Sequence, residues 1–216
     1  RNLFTAFARP IVKLLYRWLL RGSTVIFQNE RDMNVFLIEG MAGAENSVLI
    51  AGSGVDLDQF KPGPEPEGPP IVLLPARMLY DKGVAEFVEA ARILKRENVN
   101  ARFVLAGGSD PGNPSSIPEE QLRNWQSKAS VEWWGWQDDM ASVYQSAAIV
   151  CLPSYREGLA KSLIEAAACG KPLVASDIPG CREVAREGVN GILVPVKDAA
   201  ALTDAIRSLL ADTDKM

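Results

Sequence analysis

From residue 71 onward short apolar runs alternate with amphipathic stretches. "IVLL" (71–74), "FVLA" (103–106), "VEWW" (131–134), "AIVCL" (148–152), "PLVAS" (172–176) and "ILVPV" (192–196) are runs of strand length. Between the first two, Val84, Phe87, Val88, Ala91 and Leu94 repeat at helical spacing, which predicts a helix over 82–96 with Asp81 capping its start. A cycle of strand, helix, strand predicts an α/β fold, a Rossmann-like doubly wound parallel sheet with helices on both faces. Ligands of such sheets sit beyond the carboxyl ends of the strands, so chemistry is sought there.

Residues 1–51 follow another pattern. Phe4, Phe7, Ile11, Val12, Leu15 and Leu19 lie opposite Arg9, Lys13, Arg17 and Arg21, which predicts a basic amphipathic helix over about 3–20. A strand "TVIFQN" (24–29), a short helix and a strand "SVLIA" (47–51) follow, too few elements to close a sheet of their own. The stretch "KPGPEPEGPP" (61–70), with five prolines and two glycines, is a loop. The boundary therefore falls at or just before residues 52–60, giving units 1–51 and 52–216. The basic helix fits either an anionic membrane surface or a packed domain interface with its charged face in water.

Composition narrows the chemistry. A hydrophobic fraction of 47% supports a buried core, and a net charge of -4 argues against a nucleic-acid partner. With no histidine, Ser-His-Asp and Cys-His nucleophiles and histidine metal sites cannot be built. The three cysteines, Cys151, Cys169 and Cys181, show no zinc-like spacing and suit free thiols in a reducing cytoplasm. No apolar run approaches the ~20 residues of a membrane span. No signal peptide is visible, and a first residue of Arg1 suggests a fragment.

The densest chemistry lies in "REGLAKSLIEAAACGKPLVAS" (156–176). A helix beginning near Gly158 would set Glu157 at its mouth, beside backbone N–H groups that attract an anion. Glu165, eight positions on, would lie about 12 Å along the axis, so the two carboxylates cannot share one reacting atom. A glycosidase pair sits roughly 5–10 Å apart across one bond, which this spacing does not match. Two acidic acceptors at opposite ends of one ligand, with a phosphate-binding helix mouth between, suit a nucleotide sugar. Arg77 and Lys82, after the first strand of this unit, can neutralise a leaving diphosphate. Gly107 and Gly108, after the second, permit close approach of backbone to ligand.

Taken in order, "GSGVDLDQF", "PARMLYDKGV", "FVLAGG", "VEWWGWQDD", "SYREGLAKSLIEAAACGKPLVASDIPGCREV" and "NGILVPVKD" resemble the C-terminal, donor-binding domain of the retaining GT-B glycosyltransferases of family four, also called glycosyl transferases group 1. The resemblance covers about residues 24–212, and the variant is most like bacterial enzymes that build surface polysaccharide or lipid-linked oligosaccharide from UDP-sugars. It implies a hexosyltransferase in which Arg77 and Lys82 hold the diphosphate, Glu157 touches the donor sugar, Gly158 and Leu159 offer backbone N–H groups to phosphate, Glu165 binds ribose, Gly108 lines the site and backbone near Trp136 reads the base. It also implies a nucleotide-diphosphate sugar donor and a glycan or lipid-linked acceptor; no cofactor or metal is expected, since side-chain cations and the helix mouth supply the positive charge, and the cysteines and the basic helix suggest a cytoplasmic location with peripheral contact at the inner membrane face. Ala160 departs from the family, where proline is common in the first turn of that helix. Residues 1–51 read as a remnant of the N-terminal acceptor domain, and the helix that closes the family fold after about residue 212 is not seen.

Blander readings stand beside these. Glu157 and Glu165 alone would pass as a solvated helix start and an exposed helix glutamate, Arg77 and Lys82 as surface charges, and Trp133 and Trp134 as strand packing. A non-catalytic nucleotide-binding or regulatory module would use the same residues. A nucleotide-sugar epimerase needs a catalytic Tyr-x-x-x-Lys, and "YQSAA" (144–148) lacks the lysine.

Overall fold

The structure, a computed structural model, describes residues 3–50, 52, 54–128 and 131–211. Ala51, expected to end a strand, and the Phe4 and Phe7 side chains lie outside the described residues. The chain forms two compact units, residues 1–53 and 54–216.

In the first unit, helix α1 (Leu3–Leu19) leads to strand β1 (Val25–Phe27), helix α2 (Glu30–Ile38), a 3-10 turn (Ala44–Asn46) and strand β2 (Ser47–Leu49). Strands β1 and β2 pair in parallel, Val25 opposite Ser47. Asn29 caps α2 by accepting from Asp32 N at 2.8 Å. Phe36 meets Tyr16 and Phe27 edge-on at centroid distances of 5.3 and 5.2 Å. Arg9 and Lys13 both pair with Glu39, so half of the predicted basic stripe faces a carboxylate of its own unit. Ile11, Leu14, Leu15, Trp18 and Leu19 are exposed along α1.

The second unit is the expected doubly wound sheet. Its strands are β3 (Ile71–Pro75), β4 (Arg102–Ala106), β5 (Glu132–Gly135), β6 (Ile149–Leu152), β7 (Leu173–Ser176) and β8 (Gly191–Val194). They pair throughout in parallel, in the order β5-β4-β3-β6-β7-β8. Helices α3 (Val84–Arg96), α4 (Glu119–Ser127), α5 (Met140–Ser146), α6 (Lys161–Ala168), α7 (Pro179–Arg182) and α8 (Ala199–Ala211) connect and cover them. Alternation in β3 sends Val72 and Leu74 into one layer with Phe87, Phe103 and Ile206, and Ile71 and Leu73 into the other with Phe60, Tyr144 and Leu163. With both faces covered, β3, β6 and β7 are buried at every position, which is why they read as unbroken apolar runs.

The winding runs from β3 outward to β4 and β5, then restarts at β6 and runs the other way to β8. The strand order thus reverses between β3 and β6, and the crevice at their carboxyl ends is where a doubly wound sheet binds ligands.

Local details differ from expectation in two places. Asp81 does not cap α3: a 3-10 turn (Tyr80–Lys82) intervenes and Gly83 takes the cap position at φ +72°. A Cβ on Gly83 would lie 2.1 Å from Pro153 O, so the turn rests directly on the loop after β6. Helix α6 begins at Lys161 rather than near Gly158. Glu157 therefore precedes the helix, and the separation of about 12 Å drawn from helical rise does not apply to the Glu157–Glu165 pair.

Candidate functional site

Two loops meet at the reversal point. The loop after β3 carries Arg77 and the turn with Lys82, and the loop after β6 carries Ser154 to Leu159. Lys82 Nζ lies 2.6 Å from Glu157 Oε1, and both side chains are largely enclosed, 21% and 13% exposed. Two residues 75 positions apart thus form one ion pair across the crevice. Arg77 pairs with Asp110, from the loop after β4, Nη1 to Oδ2 at 2.6 Å in a more open setting, 57% and 30% exposed. Each cation that the sequence offers to a diphosphate is held by a carboxylate from the loop after a neighbouring strand, Arg77 by one after β4 and Lys82 by one after β6.

The segment between Glu157 and α6 is held from a distance. A Cβ on Gly180, in α7, would fall 2.5 Å from Glu157 O and 2.7 Å from Gly158 O, so the Glu157–Gly158 peptide rests on a glycine. Ala160 N donates to Gly180 O at 3.2 Å. Ala160 therefore stands before the first turn rather than in it, and its N–H is used there; a proline at this position would lose that bond. Ala160 brings no side-chain cap; Lys161 N and Leu163 N donate instead to the backbone carbonyls of Leu159 and Ala160, each at 3.0 Å.

Glu165 lies about one turn into α6, 13% exposed. Its Oε2 accepts from the Tyr144 hydroxyl at 3.0 Å, and Oε1 is 3.6 Å from Lys161 Nζ. Burial first, then the Glu165 charge, pushes the Tyr144 phenol far above its usual range, so it is a fixed donor. Gly107 differs from expectation: at φ +153°, with a would-be Cβ 1.9 Å from Ala76 O, it admits the neighbouring loop rather than a ligand. Gly108 has only Trp136 near its open face, at 3.9 Å. Trp136 is 73% exposed, its indole N–H donating to Asp138 at 2.8 Å, while Trp133 bonds Gly107 O and packs as a strand residue.

The three thiols are free and buried. Cys181 is pushed up to about 12, by burial first and the Glu157 charge second, against an opposing pull from Lys82, which ties it electrically to the same pair. Among the described residues no cluster of acidic and cysteine side chains is suited to a metal ion. A cavity of about 600 Å³ lined by Lys171, Asn190, Gly191 and Leu209 lies at the amino ends of β7 and β8, away from the Lys82–Glu157 pair.

Sequence reasoning named both carboxylates and both cations but missed Asp110, Tyr144 and Gly180. Only Gly180 left a local sign, the "IPG" that opens α7.

Residues 55–216 match the family described as glycosyl transferases group 1. The chain belongs to this family. Its larger unit has the fold of the C-terminal half of a GT-B glycosyltransferase; the chain matches sucrose-phosphate synthase from Thermosynechococcus elongatus with a TM-score of 0.77 and 29% identity, over 94% of this chain and 53% of that one. Anabaena HepE, solved with UDP and glucose, shares the fold at a TM-score of 0.79 and 22% identity, over 94% of this chain and 59% of that one. Among curated relatives, the N,N'-diacetylbacillosaminyl-diphospho-undecaprenol alpha-1,3-N-acetylgalactosaminyltransferase of Campylobacter jejuni is 34% identical over 94% of this chain and 56% of that enzyme. The chain spans about half the length of such relatives. No helix among the described residues is long and apolar enough to cross a membrane.

Proposed function

We propose that this chain carries the donor half-site of a retaining glycosyltransferase that moves a sugar from a UDP-sugar to a glycan or lipid-linked acceptor in surface polysaccharide synthesis. The observation that carries this reading is the Lys82–Glu157 pair at the reversal point, just before the start of α6, which has no side-chain cap. The donor's diphosphate lies against Arg77, Lys82 and the N–H groups of Gly158 and Leu159. Glu157 accepts from a sugar hydroxyl, Glu165 from the ribose diol, and backbone at Gly108 and Trp136 meets the base.

In the reaction the C1–O bond to phosphate breaks while the acceptor oxygen bonds C1 from the same side. The acceptor proton passes to a phosphate oxygen, and Arg77 and Lys82 stabilise the charge that develops on the departing diphosphate. The named function of the Campylobacter relative, which acts on an undecaprenol-linked sugar, supports a lipid-linked acceptor. The exposed apolar face of α1, with Arg17 in its last turn and Arg21 just beyond it, suits an anionic lipid surface at the cytoplasmic side of such a membrane. The remainder of the acceptor site belongs, on this reading, to an N-terminal domain of which residues 1–51 are the last part.

Calorimetric titration with UDP, GDP and ADP, without metal, tests the site. Selective UDP binding that Arg77→Ala and Glu165→Ala both abolish is the expected result. Equal affinity for the three nucleotides, or UDP binding that survives both substitutions, overturns it.

A further inference from the structure

Lys82 is a long, flexible side chain on a three-residue turn, yet its ammonium meets Glu157 from a loop 75 residues away. The turn is stapled on two sides. From the loop after β4, Ser115 O accepts from Tyr80 N at 2.8 Å, and Ser115 Oγ accepts from Asp81 N at 3.1 Å. From the loop after β6, Tyr155 N at 2.8 Å and the hydroxyl of fully buried Ser154 at 3.1 Å both donate to Asp81 O. Asp81 thus serves by its backbone.

One tie runs through side chains. The Tyr155 hydroxyl donates to Glu86 Oε1 at 2.6 Å, and Glu86 lies in the first turn of α3, four residues past Lys82. Glu86 Oε2 is buried without a hydrogen-bond partner among the described residues, a costly condition for a carboxylate oxygen. The Tyr155 ring is clamped on one face by Lys197, whose ammonium lies 4.7 Å from the ring centroid and comes from beyond β8. A half-satisfied carboxylate held by a clamped phenol makes a stiff connection between the base of α3 and the Glu157 loop.

We propose that Tyr155 is a positioning residue for Lys82: through Glu86 and the Asp81 carbonyl it locks the Tyr80–Lys82 turn to the loop carrying Glu157, so that the ammonium is ordered before a diphosphate arrives. The inference rests on the reading of Lys82 as a diphosphate ligand. Ordering in advance spares the rotamer entropy that binding would otherwise cost, so its loss should weaken only ligands that reach Lys82. UDP presents a second phosphate to that ammonium and UMP does not.

The test compares Tyr155→Phe, Glu86→Ala and Glu86→Gln with the unaltered chain, using the 15N order parameter of the Lys82 ammonium, assigned with Lys82→Arg, and the affinities for UDP and UMP. Tyr155→Phe and Glu86→Ala should lower the order parameter and weaken UDP about 3- to 10-fold, the range expected for freeing one long side chain, while UMP changes less than about twofold. Glu86→Gln keeps an acceptor for the phenol and should restore most of both. An ammonium equally ordered in Tyr155→Phe, or equal losses for UDP and UMP, overturns the proposal. If the unaltered chain binds no nucleotide while Tyr155→Phe still disorders Lys82, the positioning role stands and the donor-site reading falls.

Discussion

Replacing Lys82 by methionine leaves Glu157 facing the crevice with its counterion gone, and the Lys82–Glu157 geometry sets the scale of the effect. At 2.6 Å, an effective dielectric constant of about 20 gives a raw attraction of about 6 kcal/mol. Desolvating two groups that are only 21% and 13% exposed removes most of it. The net coupling should be about 1–3 kcal/mol, above the ~0–1 kcal/mol of exposed pairs and below the ~3–5 kcal/mol lost on breaking a fully buried one. A double-mutant cycle of Lys82→Met, Glu157→Gln and the pair, followed by urea unfolding, measures it. Tryptophan fluorescence is a suitable signal, since Trp125, Trp133, Trp134 and Trp136 all lie in the larger unit. Enclosure also limits screening, so the coupling should persist in about 0.5 M salt, where the Debye length is only about 4–5 Å. A coupling below about 0.5 kcal/mol, or one abolished by salt, would refute the enclosed pair.

Three further outcomes are expected. Gly180→Ala drives a methyl onto the Glu157 and Gly158 carbonyls and should cost about 1–3 kcal/mol in urea unfolding, with weaker UDP binding; an unchanged midpoint would contradict the close packing. Tyr144→Phe removes a donor from Glu165 and should cost about 1–2 kcal/mol, while reducing discrimination between UDP and 2'-deoxy-UDP in titration; intact discrimination would separate Tyr144 from ribose recognition. Glu132 is held below the usual carboxyl range, chiefly by its hydrogen bond from Arg102, with Trp134 adding to it and desolvation opposing. Its stabilisation is therefore present above the unfolded value near about 4.3 and is lost as pH falls through the lowered folded value. The pair is half-exposed, so Glu132→Gln should flatten the acid limb of an unfolding-versus-pH curve by no more than about 1 kcal/mol, and an unaltered limb would refute the linkage.

The strands were legible because a parallel sheet covered on both faces demands continuous apolar runs, and β3, β6 and β7 supply them. Helix α3 was legible because one of its faces packs on that sheet at every helical repeat. The start of α6 was not, since residues 157–160 are shaped by Gly180, some twenty positions on. Asp81 looked like a cap because local rules favour aspartate before a helix; the contact of Gly83 with Pro153, which displaces it, has no local sign. The same holds for charge. Residue type marked Arg77, Lys82 and Glu157, whereas their partners across 33 and 75 residues exist only in the folded sheet.

The three enclosed thiols make the protein a chronometer of its own opening. A thiol reacts as thiolate, and burial holds Cys151 in β6 and Cys181 in α7 far from that form, so alkylation must wait for each site to open. Cys151 sits in a central strand and is uncovered when the sheet parts; Cys181 is uncovered when α7 lifts from the Glu157 loop. Two labelling rates from one sample then time the rupture of the sheet and the loosening of the crevice separately, and a ligand that clamps the crevice slows the second clock while the first keeps its pace.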